Sequence, residues 1–333
     1  MSARESIIPV FVPHLGCPND CVFCNQRRIS GSVAPATAED VVSAIENALR
    51  LTPPGTRRQL AFYGGSFTAI PVAEQESLLG AAAPYLERGD IASLRLSTRP
   101  DAIDGAVLRW LRSYGVETIE LGAQSMSERV LALSGRGHTA ADVEDAARAV
   151  KGAGFRLILQ MMTGLPGADD ESDVESARRI AALGPDGVRV YPTVIVRDTA
   201  LCDLWRAGRY KEHTVEDAVR VCARILPVFE QAGIPVIRLG LNPTEDLSGG
   251  DAVGGAYHPA LGELVKSRIM RDRAEKILSG AKRGEQAVLR VNPRLISQLV
   301  GQHGANRAYL VERFGLSGLR IVRDPDVSAL ELG

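Results

Sequence analysis

Three cysteines lie close together near the start of the chain, Cys17, Cys21 and Cys24, with the spacing C-x3-C-x2-C. Structural zinc sites and ordinary cubane iron–sulfur clusters both take four protein ligands. Three thiolates on one short loop would therefore hold three irons of a [4Fe–4S] cube and leave the fourth iron open to a small molecule. The alternatives are a zinc site or cysteines that are simply buried.

The spacing, with Phe23 directly before the last cysteine, resembles the signature of the radical S-adenosylmethionine (radical SAM) superfamily. The resemblance implies that Cys17, Cys21 and Cys24 bind a [4Fe–4S] cluster and that S-adenosylmethionine (SAM) binds at its open iron. It further implies reductive cleavage of SAM to a 5′-deoxyadenosyl radical, which needs an electron donor. Phe23 is expected to belong to the cofactor site.

Short apolar runs alternate with amphipathic stretches along the first 240 residues. This alternation predicts parallel strands joined by right-handed crossovers. With the resemblance, we expect an α/β fold: a partial (β/α)6 TIM-like barrel with a C-terminal α/β extension. The predicted strands are 7–12, 59–63, 92–97, 116–121, 156–161 and 187–191, with a further candidate at 234–238. The predicted helices are 38–50, 72–86, 102–113, 140–152 and 215–231.

Ligands of such folds bind at the carboxyl ends of the strands. Gly64 and Gly65 end the second predicted strand, and the resemblance implies that their backbone approaches the methionine part of SAM. Ser66 follows where many relatives carry Glu, and it is expected to line the same site. Gln124 and Ser125, after the fourth predicted strand, resemble a polar pair that faces the sugar and methionine of SAM.

Two further polar residues occur in the loop before the helix at 140–152. Arg136 is expected to pair with a carboxylate at the cofactor site. His138 is interpreted as a surface residue in preference to a proton donor.

Several motifs resemble the catalytic subunit of Elongator, colinearly over about residues 5–240. The motifs include Ser97–Asp101, Gly135–Thr139, Met161-Met162, Leu165-Pro166 and Tyr191–Thr199. That family modifies the wobble uridine of tRNA and joins a radical SAM barrel to an acetyltransferase domain. We expect no acetyltransferase domain in this chain, so the resemblance implies a related radical core and leaves the transferred group open.

The sequence predicts three segments: the radical SAM barrel over 1–240, a Gly-rich loop and basic helix over 241–285, and a small α/β tail over 286–333. The loop is predicted at 240–255 and the helix at 261–278. The tail contains Gly301-Gln302-His303-Gly304 between two predicted helices. Strand, helix, G-x-x-G, helix and strand resemble the minimal KH core, whose loop clamps a nucleic-acid backbone.

Charge is distributed unevenly along the chain. Residues 265–323 contain 13 lysines and arginines against four acidic residues, a net charge of +9, which leaves −10 for the rest of a chain whose total is −1. Such asymmetry indicates an anionic partner, with a solvated basic surface as the alternative. Together with the G-x-x-G loop, it favours tRNA or another RNA as the partner.

The sequence therefore predicts a radical SAM enzyme that modifies tRNA. One alternative is the same core acting on a small molecule, as in the oxygen-independent coproporphyrinogen oxidases. Another is a non-catalytic Fe–S or zinc module that binds RNA. With five cysteines, no signal peptide and no apolar run long enough for a bilayer, we expect a cytoplasmic protein without a membrane partner. No oligomeric state follows from these patterns.

Overall fold

The computed structural model describes residues 5–12, 17, 21–25, 36–241 and 247–333. The chain divides into two compact units. The first comprises the described residues up to Thr214 together with Ile225–Tyr257, and the second comprises Val215–Arg224 together with His258–Gly333. In the described parts of the chain, no helix combines the length and the apolar character that crossing a lipid bilayer requires.

The first unit is built around a curled, parallel, seven-stranded half-barrel sheet. The strands in its described residues are β1 (Glu5–Phe11), β2 (Arg57–Tyr63), β3 (Ser93–Thr98), β4 (Val116–Gln124), β5 (Arg156–Thr163), β6 (Gly187–Pro192), β7 (Val194–Val196), β8 (Val236–Leu239) and β9 (Ala252–Gly255). The sheet order is β1-β2-β3-β4-β5-β6-β8. Seven parallel strands in sequence order confirm the predicted partial barrel, and the uncertain strand near residue 236 is its seventh strand.

Helices connect successive strands of the sheet. They are α1 (Ala38–Leu51), α2 (Val72–Glu87), α3 (Gly105–Ser113), α4 (Glu128–Leu133), α5 (Ala140–Gly152), α6 (Asp170–Ala182), α7 (Ala200–Arg206) and α8 (Val215–Gln231). Capping residues determine where several of these helices begin. Thr37 caps α1, Thr139 caps α5 and Asp169 caps α6, each with a reciprocal bond to the third helical residue, which satisfies donors that the first turn leaves open.

The two faces of the sheet differ in chemistry. Leu60, Phe62, Leu94, Leu96 and Ile119 point to one face and are fully buried. Their strand neighbours point to the other face because side chains alternate along a strand. That second, concave face carries polar residues at its centre, among them Arg95 and Glu120. The apolar face forms the core, and the polar face lines the interior of the half-barrel, which we call the lumen.

The structure differs from the sequence prediction at several places in the first unit, which include α4, α7 and β7, none of them predicted. The 3₁₀ turn Pro100–Ala102 precedes α3, which begins at Gly105 because Asp104 caps it. Helix α6 was not predicted. Within the predicted loop 240–255, residues 252–255 form β9, which pairs antiparallel with β7. Asn242 and Pro243 of that loop lie outside the described residues.

The second unit packs three helices against a small sheet. Its elements after α8 are α9 (Leu261–Ile277), α10 (Ile296–Val300), α11 (Ala305–Phe314), β10 (Gln286–Val291), β11 (Gly318–Arg323) and β12 (Leu330–Leu332). The sheet order is β11-β10-β12, with β10 parallel to β11 and antiparallel to β12. Leu278, Leu289, Leu299 and Leu310 are fully buried at its core. The predicted helices and strand of the tail are confirmed as elements.

Candidate active site

The cysteine loop is held by backbone bonds on both of its sides. The Val22 amide donates to the carbonyl oxygen of Ser134 (3.1 Å), and the Leu201 amide donates to the carbonyl oxygen of Val22 (2.7 Å). The ring of Phe23 packs against an apolar cluster that includes Leu201 and Tyr210. Phe23 therefore anchors the loop through its side chain, whereas the cofactor contact expected of it remains a prediction.

Arg136 links this loop to strand β4. Its Nη1 donates to the sulfur of Cys21 (3.4 Å), and its Nη2 donates to the carbonyl oxygen of Gly122 (2.7 Å). The guanidinium is thereby held against one predicted cluster ligand by a fixed backbone acceptor. Cysteine binds metal as the thiolate, so the guanidinium lies against an atom that would carry negative charge in a cluster-bound loop.

A β-bulge lies at the carboxyl end of β4. The pairing of β4 with β5 shifts between Gly122 and Gln124, and Gln124 has a positive φ of 63°. A Cβ on Gly122 would lie 2.9 Å from Nε2 of Gln124 and 3.3 Å from Nη2 of Arg136, so both side chains pass over this glycine. Bulges commonly re-aim side chains at functional sites, and this one directs Gln124 beside Arg136.

Gln124 also carries an unused acceptor. Its Oε1 is buried without a hydrogen-bond partner among the described residues. An orphaned acceptor is costly, because burial removes its bonds to water. A ligand that donates a hydrogen bond at this point would relieve that cost.

The Gly64-Gly65 turn follows β2 with φ values of 77° and 38°, which glycine adopts without strain. The hydroxyl of Ser66 is fully buried next to this turn. It lies 2.9 Å from Oγ1 of Thr98 and accepts from the Arg99 amide (3.1 Å). Ser66 therefore ties the glycine turn to the end of β3, and a direct contact with SAM remains a prediction.

Arg99 extends the cationic side of the site. Its Nε and Nη2 donate to both oxygens of Asp101 (2.9 and 2.7 Å), and Nη2 also donates to the carbonyl oxygen of Arg136 (3.0 Å). Burial works against the charged form, yet the pKa of Arg99 is raised because Asp101 and the thiols of Cys21 and Cys17 favour it. Arg99 was not among the predicted site residues, although the motif that contains it was noted.

The other two polar residues of the predicted site point into the protein. The interpretation of His138 as a surface residue is wrong: it is buried, its Nε2 lies 3.2 Å from the carbonyl oxygen of Ala123, and burial and Arg136 lower its pKa to about 4. The Ser125 hydroxyl lies 3.2 Å from that of Ser176 on α6. Both residues therefore support the end of β4.

A buried ionic network in the lumen was missed by the sequence reading. Glu120 is fully buried and accepts from Nη1 of Arg95 (2.9 Å), and it pairs with Nε of Arg189 (2.8 Å). The Tyr63 hydroxyl donates to Glu120 (3.1 Å), and burial and the Glu120 charge raise the pKa of Tyr63 to about 12. A signal for this network was present in the sequence. Four successive strands each contain a polar residue between two apolar ones, at residues 94–96, 119–121, 159–161 and 188–190.

The turn after β5 is tightly enclosed. Gly164 has a φ of 71°, its amide donates to the buried carboxylate of Asp173 (2.9 Å), and its carbonyl oxygen accepts from the Tyr210 hydroxyl (2.6 Å). The ring of His213 covers the glycine, with Nε2 3.2 Å from the Thr163 hydroxyl. Burial raises the pKa of Asp173 to about 7.

Similarity to known protein families identifies the superfamily of this chain. The radical SAM superfamily model matches residues 11–180, just over half of the chain, and the radical SAM C-terminal domain model matches residues 185–271. This chain belongs to the radical SAM superfamily. Members of the superfamily use a [4Fe–4S] cluster and SAM.

Individual relatives of this radical SAM protein are similar over part of their length. Elongator complex protein 3 of Homo sapiens is 36% identical over 183 residues, which covers 49% of this chain and 34% of the human protein. The tRNA uridine(34) acetyltransferase of Methanocaldococcus jannaschii is 24% identical over 300 residues, covering 78% of this chain and 54% of that protein. The chain thus spans a third to about half of these relatives.

Solved structures support the fold of this radical SAM protein. The archaeal Methanocaldococcus infernus Elp3 with an N-terminal deletion superimposes with a TM-score of 0.63 and 22% identity, covering 82% of this chain and 64% of that one. At this identity the likeness concerns the fold alone.

The residues present fit the cofactors of the superfamily by their donor chemistry. Cys17, Cys21 and Cys24 are half-buried thiols, and Cys21 accepts a hydrogen bond from Arg136. The orphaned Oε1 of Gln124 and the glycine turn offer the acceptor and the close backbone approach that a zwitterionic ligand needs. Within the described residues, no three Cys, His, Asp or Glu side chains are grouped for a metal ion, so the ligand set remains a prediction.

Proposed function

We propose that this protein is a radical SAM enzyme that modifies tRNA. The observation that carries the proposal is the similarity of its core to Elongator complex protein 3 and to a tRNA uridine(34) acetyltransferase. When bound, the reduced cluster supplies the electron that cleaves SAM to a radical able to abstract hydrogen. The chain's own contribution is to bind, orient and shield the reactants.

We assign the cofactor site as follows. Cys17, Cys21 and Cys24 hold the cluster, and the backbone of the Gly64-Gly65 turn approaches the methionine part of SAM. Arg136 offers its guanidinium to the SAM carboxylate, and Gln124 offers its buried acceptor to a SAM donor. These assignments are supported by the bulge and by the bonds that hold Arg136 between Cys21 and Gly122.

Ser66 and Ser125 support the elements of this site through hydrogen bonds within the protein. Ser66 fixes the glycine turn to β3 through Thr98 and the Arg99 amide. Ser125 fixes the bulge to α6 through Ser176. Any contact that Ser66, Ser125 or Phe23 makes with SAM is part of the proposal.

We further propose residues 286–333 as a KH-like segment that binds the tRNA backbone. The G-x-x-G turn lies between α10 and α11 and comprises residues 301–304. Three of its residues, Gly301, His303 and Gly304, have a positive φ, and this conformation brings the backbone to the surface. Asn306 is buried behind it, and its Nδ2 donates to backbone oxygens of Ser267 and Gln298. This anchor gives the loop a fixed shape before RNA arrives.

Several basic residues of the region 265–323 already pair with carboxylates. On α9, Arg268 pairs with Asp272 and Arg271 lies near Glu275. Arg290 pairs with Asp324. Arg294 and Arg307 flank the G-x-x-G loop and are exposed, and they are the residues that we expect to contact phosphates.

Anaerobic reconstitution tests the proposal. The full chain, loaded with iron and sulfide and reduced with dithionite, should contain about four irons, cleave SAM to 5′-deoxyadenosine and alter a nucleoside in added tRNA. If the protein binds iron but does not cleave SAM, the proposed enzymatic activity is refuted. Cleavage with every tRNA nucleoside unchanged would refute the tRNA substrate and favour a small molecule.

A further inference from the structure

The lumen of the half-barrel departs from the usual filling of such folds. TIM-like barrels pack branched apolar side chains inside. Here the central layer holds Glu120, fully buried, with Arg95, Arg189 and Gln160 as donors within 2.9 Å of its two oxygens. Taking charges out of water costs several kcal/mol per ion, and apolar residues of equal volume often do better. This layer is therefore poorly explained by stability alone.

Charge in this layer is not balanced. Arg95 and Arg189 share the single carboxylate of Glu120. Arg238 on β8 is the register partner of Arg189 on β6, so a third guanidinium belongs to the same face of the sheet. Its Nε donates to the carbonyl oxygen of Gly240 (3.0 Å), which is a neutral acceptor. Among the described residues, these groups carry three formal positive charges against one negative charge.

The Arg95 guanidinium is fixed inside this layer. Its side chain is only 9% exposed. Its Nε donates to Oε1 of Gln59 (2.8 Å) and its Nη1 donates to Glu120 (2.9 Å). Guanidiniums held in place beside uncompensated positive charge suit an oxyanion, because arginine binds carboxylate and phosphate in the same forked geometry.

We propose that this layer, Arg95, Arg189 and Arg238 around Glu120, binds an oxyanion group, a carboxylate or a phosphate, of a small co-substrate. Tyr63 belongs to the network and directly precedes the Gly64-Gly65 turn, so a molecule held by its anionic end can extend toward the carboxyl ends of the strands. Glu120 holds the arginines in place and offsets part of their positive charge.

The use of this anion rests on the proposed function, because a radical formed beside Gly64 and Gln124 would act on the part of the co-substrate nearest the strand ends. The binding itself does not. It can be measured without tRNA, SAM or turnover, so a failure of tRNA modification and a failure of anion binding are separate results.

Charge variants distinguish an anion site from a structural network, because the two roles predict different signs. An anion site loses affinity when an arginine is neutralised and gains affinity when Glu120 is neutralised. A purely structural network loses stability in both cases and binds no anion in either. Arg148 offers a matched control, because it is an exposed arginine that pairs with Asp145 on the surface.

Isothermal titration calorimetry of the reconstituted full chain, at constant ionic strength in chloride, provides the test. Acetate and inorganic phosphate are the two probes, and the tighter one identifies the class of oxyanion. We expect millimolar or tighter binding of at least one probe, a tenfold or greater loss in Arg189→Gln and Arg95→Gln, a several-fold gain in Glu120→Gln, and no change in Arg148→Gln.

The proposal is overturned if neither probe binds the wild-type chain, or if Arg189→Gln and Arg148→Gln bind alike. Circular dichroism and iron content establish that each variant is folded. If Glu120→Gln does not fold, Arg238→Gln is the substitute, because the Arg238 side chain makes no ion pair with Glu120. The proposal requires that Arg238→Gln binds the probe more weakly than the wild type. Unchanged binding contradicts it.

Discussion

The guanidinium of Arg136 joins the thiol of Cys21 to the backbone of β4, donating from Nη1 to the sulfur at 3.4 Å and from Nη2 to the Gly122 carbonyl oxygen at 2.7 Å. This single side chain connects the cysteine loop to the β-bulge that aims Gln124. The loop and the strand that were singled out separately in the sequence are thus joined by one side chain.

Removing this guanidinium should make the cluster harder to reduce. Reduction adds negative charge next to the cysteine sulfurs, and hydrogen bonds to those sulfurs set the potential. We expect Arg136→Gln to lower the midpoint potential by roughly 60 mV, the equivalent of a tenfold change for one electron. Redox titration monitored by electron paramagnetic resonance measures it, with Arg148→Gln as the control. Equal potentials in the two variants would show that Arg136 does not act on the cluster.

The Gly164 turn should not tolerate a side chain. A Cβ there would lie 2.1 Å from Cγ of His213, and the φ of 71° is strained for any other residue. Gly164→Ala should cost about 3 kcal/mol in unfolding free energy by chemical denaturation. Gly208→Ala is the matched control, because its φ is 67° with nothing within 4 Å of the new methyl group, and it should cost about 1 kcal/mol. Similar losses in both variants would refute the role of His213.

The buried Asp173 should make stability depend on pH. Burial raises its pKa to about 7 from 3.8, so between these values the folded state binds more protons than the unfolded state. Stability contributed by this group is therefore present below pH 3.8 and falls as the pH rises to 7. Asp173→Asn avoids this loss, and its free energy of unfolding relative to the wild type should rise by about 4 kcal/mol between pH 4 and 8. If chemical denaturation gives the same difference in unfolding free energy between Asp173→Asn and the wild type at every pH, the raised pKa of Asp173 is contradicted.

Negative charge on the G-x-x-G loop should weaken tRNA binding. Gln302 and His303 are exposed, and His303 has a φ of 52°, which Asp and Asn tolerate better than most residues. The double variant Gln302→Asp, His303→Asp should bind tRNA at least tenfold more weakly in filter binding.

The asparagine pair at the same positions is the neutral control for this prediction. It keeps the backbone preference of the aspartates and adds no charge, so it should bind tRNA like the wild type. Equal affinity of the aspartate and asparagine variants would remove the loop from the RNA interface.

Local patterns were sufficient to predict the sheet. Apolar runs such as 60–62 and 157–159 mark strands by length and composition, and the regular alternation with helices implies their parallel order. The glycine pair after β2 also identified a strand end, because only glycine adopts both of its φ values without strain. These features depend on residues that are near one another in the chain.

Features that depend on distant residues were missed. Arg95, Glu120 and Arg189 come from three strands, and their pairing follows from sheet register, which a single strand does not contain. His138 is polar and lies in a loop, so its burial under Ala123 was not evident. Helix α6 was overlooked, although its acidic first turn and the capping pair of Asp169 and Ser172 both mark its start.

The central claim is that this radical SAM protein modifies tRNA, and nucleoside profiling of tRNA tests it most directly. Bulk tRNA from cells with the gene, without it, and carrying Cys21→Ala in its place would be digested and compared by mass spectrometry. We predict that at least one modified nucleoside is lost without the gene, is restored by the wild-type chain and is not restored by Cys21→Ala. Identical profiles from all three strains would contradict the account.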